Sequence, residues 1–118
     1  MQYMILIYSE ESKMPAPPTD PAELGAWMKP WLDYGKALQE AGVHVAGDAL
    51  QATSTATTIT AMSGEAVFTD GPFAETKEQL GGYYLIECEN LDDALAWGAK
   101  CPGVQFGKIE VRPVQVFG

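Results

Sequence analysis

The chain has 118 residues, 47% of them apolar and 19% charged, which fits one domain spanning residues 1–118 with a core of its own and excludes a disordered tail. Seven basic residues against sixteen acidic ones leave a formal charge of −9. That balance argues against a nucleic-acid surface and against adsorption on anionic lipid, because both need clustered Lys and Arg.

Tyr3 to Tyr8 is a β-rich run bounded by the polar cluster Ser9 to Ser12, and it reads as a first strand with apolar side chains on both faces. The run is too short for a signal or membrane helix and has no basic residues before it, so a cytoplasmic protein is expected. Met14 to Pro18 carries three prolines and reads as a stiff loop. Thr19 or Asp20 then caps a helix with Pro21 at an early position; Leu24, Trp27, Met28, Trp31, Leu38 and Ala41 form its apolar stripe, and Gly42 stops it. Pro30 falls inside the pattern and predicts a kink or a split.

Val43 to Leu50 reads as a second strand, and Thr53 to Met62 with Glu65 to Thr69 as a hairpin around Ser63-Gly64. Asp70 to Phe73 is a turn, Ala74 to Leu80 a short helix, and Gly81-Gly82 its breaker. Tyr83 to Cys88 is a further doubly apolar strand. Asn90 or Asp92 caps a second helix through Ala99 with Leu91, Leu95 and Trp97 facing inward, and Pro102-Gly103 ends it. Lys108 to Phe117 is the last strand, and Pro113 places it at an edge or a bulge.

Without the middle insert the order is strand, helix, strand, strand, helix, strand. This predicts an α+β ferredoxin-like sandwich with a hairpin-plus-short-helix insertion between core strands 2 and 3 and both helices on one sheet face. Two helices cover one face only, yet the first and third core strands are apolar on both. A second copy packed sheet against sheet, a homodimer enclosing clefts, is the economical cover.

The run from Thr69 to Tyr84, TDGPFAETKEQLGGYY, resembles the signature of the YCII-related family and within it the DGPF-domain subgroup. Met1 to Tyr8, Ala41-Gly42-Val43, the threonine run Ala52 to Thr60, Cys101-Pro102-Gly103 and Ile109 to Pro113 extend the resemblance over essentially the whole chain. It implies a dimeric α+β barrel of unestablished biochemical role. Some members are encoded beside or fused to sigma factors of the extracytoplasmic-function type, which implies a sensor or accessory role in transcriptional control by association only. Shorter relatives have a His in the first helix and an Asp before the proline that follows the second helix, proposed as a catalytic pair. Here the first position falls near Trp31 and the second is Cys101, so both members are missing.

The candidate ligand-binding residues are Asp70, Glu75 and Lys77 of the insert, Tyr8 and Arg112. Asp70 either caps the short helix beyond it or lines a cleft under the insert, and Glu75, Lys77 and Glu78 fit a solvated charged face equally well. Arg112 needs an anionic partner, for which Glu110 and Asp70 compete with a ligand. His44, the single histidine, is either a structural strand residue or, with Asp70, a weak candidate for proton transfer. Cys88 and Cys101 read as reduced structural thiols, and no metal-ligand spacing or cofactor motif is present. Three functions remain open: a small-molecule-binding dimer, a cofactor-independent acid–base enzyme acting on a small, partly apolar substrate in the dimer cleft, and a structural interaction module.

Overall fold

The computed structural model describes residues 1–118. Its elements in chain order are β1 (Gln2–Ser9), α1 (Pro21–Glu40), β2 (His44–Ala49), β3 (Thr57–Met62), β4 (Glu65–Asp70), β5 (Gln79–Glu87), α2 (Leu91–Lys100) and β6 (Gly107–Pro113). Four strands pair antiparallel in the order β2-β5-β1-β6, while β3 and β4 pair only with each other. This is a mixed α+β fold with the ferredoxin-like strand order, interrupted between β2 and β5 by a two-stranded hairpin.

Alternation along the central strand β1 decides where the core lies. Tyr3 and Ile5 point to the helices and are buried with Ile86 of β5, Tyr34 and Leu38 of α1, Ala94 of α2, and Cys101. Both helices therefore pack on one sheet face. α1 begins where the Asp20 carboxylate accepts the Glu23 amide at 3.1 Å, and α2 where the Asn90 side chain accepts the Asp93 amide at 2.9 Å. At the far end of α2 the Cys101 amide donates to Gly98 O, and Trp97 O is satisfied by the Tyr34 hydroxyl at 2.7 Å. Tyr34 thus joins α1 to the C-terminal turn of α2.

Tyr34→Phe leaves Trp97 O unsatisfied and is expected to cost about 1–3 kcal/mol in urea unfolding at neutral pH. Burial foremost, then the neighbouring Cys101 and Tyr84, raises the Tyr34 hydroxyl; burial likewise raises Tyr84 above its ordinary 10.0 and Cys101 above its ordinary 9.0. Each group keeps its proton to higher pH in the folded chain than in the unfolded one. Their stabilisation is therefore complete below those ordinary values and lost as pH rises through the folded ones. The wild-type midpoint should fall on alkaline titration above about pH 9, and Tyr34→Phe should flatten that fall; an unchanged slope would count against this role.

Five sequence expectations are corrected. The last strand ends at Pro113 and does not run on to Phe117, since proline has no amide to continue the ladder. Pro30 does not split α1: Ala26, whose carbonyl loses its donor, is exposed, so water can take the place of the missing amide. Residues 74–78 are bends and irregular backbone rather than a short helix, and Gln79 and Leu80 already belong to β5, since Thr76 Oγ1 donates to Glu78 O and Gln79 Nε2 to Thr76 O, local bonds that compete with helical ones. Gly81-Gly82 breaks no helix but lies within β5 at a bulge opposite Ile7 and Tyr8. In α2, Leu91 and Leu95 are 45% and 47% exposed; the buried stripe is Ala94 and Gly98, where a Cβ on Gly98 would lie 2.9 Å from Val111. Small residues let α2 sit close on β6, which turns the leucines outward.

Candidate functional site on the open sheet face

The register places Met4, Leu6 and Tyr8 of β1, Tyr83 and Leu85 of β5, and Lys108, Glu110 and Arg112 of β6 on the sheet face away from the helices. No element of the chain lies over it. The apolar members are half-buried and form its centre, while the charged residues of the edge strand β6 form one border. Across β6, Lys108 stands opposite Tyr8, Glu110 opposite Leu6 and Arg112 opposite Met4. On the other border, Asp48 of β2 accepts the Tyr83 hydroxyl at 2.8 Å, a bond that raises the Tyr83 pKa.

Arg112 has found a protein partner. Its Nη2 lies 2.6 Å from Glu110 Oε1, with the two side chains 65% and 47% exposed; Asp70 is not involved. A second ion pair joins Lys108 Nζ to Glu78 Oε1 at 2.5 Å. Tyr8, Glu78, Lys108, Ile109 and Glu110 line an open groove of about 510 Å³. The groove offers a phenol, one aliphatic side chain, and the Lys108 cation between two carboxylates, Glu78 and Glu110.

The structure brings together only part of the sequence-predicted set. Tyr8 and Arg112 share the open face. Asp70 ends β4, opposite Thr57, and its carboxylate caps nothing because no helix follows; the backbone at Gly71 (φ 93°) turns the chain there, and its amide donates to Ala56 O. Glu75 and Lys77 are exposed and make no hydrogen bond or ion pair, whereas their neighbour Glu78 reaches the groove. His44 stands opposite Ile86 on the helix side, with its ring 6.4 Å from that of Tyr84, so the sheet separates it from Tyr8 and Arg112. Glu78, which fits a solvated charged face by sequence, is drawn to the groove by Lys108, while Lys108, Asp48 and Tyr83 are site residues that the sequence reading does not single out. The alternation Lys108, Glu110, Arg112 on one strand was the available signal for Lys108.

A second groove of about 420 Å³ lies at the other end of the sheet, lined by Val43, Cys88, Asp93, Trp97 and Lys100 among others. Cys88 and Cys101 are both free thiols, and burial foremost keeps Cys88 protonated above its ordinary value. No three His, Cys, Asp or Glu side chains cluster as metal ligands would, and no helix is long and apolar enough to cross a membrane.

Strand order, a single helical layer and an open apolar face bordered by charge define a ferredoxin-like α+β domain with one sheet face free. The model of the YCII-related domain matches residues 1–118, and the chain belongs to that family. It is similar to an uncharacterised protein of Rhizobium meliloti (strain 1021), with 36% identity over 124 aligned positions that cover 99% of this chain and 94% of the relative.

Proposed function

We propose that this protein is a homodimeric small-molecule-binding domain of the DGPF subgroup, acting in the cytoplasm, whose ligand cleft forms over the open sheet face. The observation that carries this reading is the uncovered row Met4, Leu6, Tyr8, Tyr83 and Leu85 with the basic groups Lys108 and Arg112 along its border. An apolar floor with a few convergent polar groups is the usual make-up of a ligand site. In a chain of charge −9, two of the few cations stand on one strand face, and each would take an anionic or carbonyl group of a small, partly apolar ligand by exchanging its solvent-accessible carboxylate partner, Glu78 for Lys108 and Glu110 for Arg112. The run Thr69 to Tyr84 supports the subgroup, and the genomic neighbourhood of its members makes a sensor or accessory protein near a sigma factor the matching cellular role. The acid–base reading has less support, since His44 lies under the helices and Asp70 at the insert, apart from each other and from Tyr8.

Sedimentation velocity should give a dimer at micromolar concentration; a monomer sinks the proposal. Thermal melts with a panel of small organic acids then test the cleft. Arg112→Met should leave the protomer's own stability within about 0.5 kcal/mol, because the Glu110 pair is exposed, and should abolish the stabilisation by carboxylates. A mutant that responds to every acid as the wild type does would remove Arg112 from the site.

A further inference from the structure

The β3–β4 hairpin is an ordered element that the protomer leaves bare. Its register sets Ile59 opposite Phe68 and Ala61 opposite Ala66 on one face, which Thr57 and Asp70 end at the root, with Thr58, Thr60 and Thr69 beside Val67, Met62 and Glu65 on the other. Ile59 and Phe68 are 60% and 67% exposed, and every residue of β4 is exposed. The radius of gyration is 16.6 Å, against about 13.5 Å for a compact chain of this length, as a projecting arm requires.

A two-stranded hairpin is marginally stable alone in water and needs something to pack on. This one is nevertheless held firmly at its root. The Thr53 amide and hydroxyl donate to the Glu11 carboxylate at 2.9 and 2.8 Å, the Glu11 amide donates to Gln79 Oε1, and the Leu50 amide to Gly81 O. The root therefore sits at the end of β1 and β5 beside Tyr8. Ser63 and Gly64 both take positive φ, 52° and 82°, the turn that matches strand twist and keeps the arm straight.

We propose that the hairpin is an exchange arm: its Ile59–Phe68 face docks on a second copy of this chain, each arm bordering the other copy's open sheet face, so that the partner supplies part of the wall around Tyr8 and Arg112. This rests on the homodimer reading above and goes beyond it by making the cleft incomplete in one chain. Two arguments select a second copy as the occupant. Sheet-face residues are half-buried within the protomer whereas Ile59 and Phe68 are 60% and 67% exposed, so the arm adds apolar area toward the roughly 1,200 Å² that a stable interface buries. Two copies of charge −9 repel, and the arm carries no charged side chain from Ala49 to Gly64; its two carboxylates stand at its ends, Asp70 at the root opposite Thr57 and Glu65 at the tip opposite Met62, so like-charged copies can meet over the Ile59–Phe68 and Ala61–Ala66 pairs between them. Reciprocal exchange also closes the assembly at two chains rather than leaving arms free to build fibres.

The test uses the full chain with Ile59→Ser and Phe68→Ser combined. Sedimentation equilibrium should show the dimer dissociation constant raised at least about 100-fold, with circular dichroism unchanged because both side chains are solvated in the protomer. In parallel, p-benzoylphenylalanine in place of Phe68, in mixed light- and heavy-isotope protein, should crosslink light chains to heavy ones on β1, β5 or β6. A wild-type dimer whose constant moves less than about threefold in the double variant, or crosslinks confined to one chain, overturns the arm and leaves the sheet-face dimer standing. Crosslinks to the partner's helices overturn the placement at the cleft. A wild-type monomer overturns both readings.

Discussion

Gly107→Ala is expected to lower the melting temperature by about 10 °C or more. Gly107 opens β6 opposite Ser9 of β1, and a Cβ built on it would lie 1.9 Å from the Tyr8 carbonyl oxygen and 3.0 Å from its carbon. Neither atom can rotate away, since both belong to the backbone of the central strand. The clash is relieved only by separating β6 from β1, which breaks ladder hydrogen bonds and shifts Lys108 off Tyr8. Gly35 is the natural control: nothing lies within 4 Å of its Cβ position in α1, so Gly35→Ala should be neutral or slightly stabilising through helix propensity. Differential scanning calorimetry of both variants decides the matter, and a Gly107→Ala protein that melts with wild type would mean that β6 is not seated as described.

Much of this fold was legible because local chemistry and tertiary structure agree. Asp20 and Asn90 cap the helices that their sequences announce, Ser63-Gly64 makes a positive-φ turn between two strands, and Pro113 marks an edge strand, though it ends that strand short of the expected Phe117. Apolar residues on both faces of β1 and β5 go with helices on one sheet face only. What could not be read depended on packing between distant elements. Gly98 looks like a weak helix residue, yet it is what brings α2 onto Val111 and displaces Leu91 and Leu95 to the surface. Residues 74–78 have helical composition, but the stretch is too short to repay nucleation, and Thr76 and Gln79 hold the backbone otherwise.

The candidate site follows the same division. Alternation alone puts Tyr8 and Arg112 on residues of one parity in neighbouring strands, and the pair Glu110–Arg112 is an i, i+2 contact that a strand guarantees. Glu78 reaches Lys108 across thirty positions of sequence, a meeting set by where the insert returns to the sheet. No spacing rule encodes that return, which is why Glu75 and Lys77 looked as good as Glu78. The insert itself reads as a cover for its own cleft, whereas its apolar face is left bare by the protomer.

The sharpest contrast lies between two neighbours on β1. Ile5 is fully buried among Tyr34, Leu38, Ile86 and Ala94, and Ile5→Ala removes its outer side-chain carbons from a site that cannot collapse, because it is clamped between β5 and β6. The expected cost is about 2–5 kcal/mol of folding free energy, read as a lower urea midpoint at any protein concentration. Leu6 points the other way, onto the open face opposite Tyr83 and Glu110, where it is already half-wet in the protomer. Leu6→Ala should therefore cost the isolated protomer only about 1 kcal/mol. Where a second copy packs on that face, however, the lost contact is counted once in each subunit, and the dimer dissociation constant should rise by at least about tenfold. Melts of the two variants over a wide range of protein concentration separate the effects: Ile5→Ala should shift the whole curve, while Leu6→Ala should steepen its dependence on concentration. Equal effects from the two would mean that both faces of the sheet are covered within one chain, which is the arrangement the uncovered face rules against.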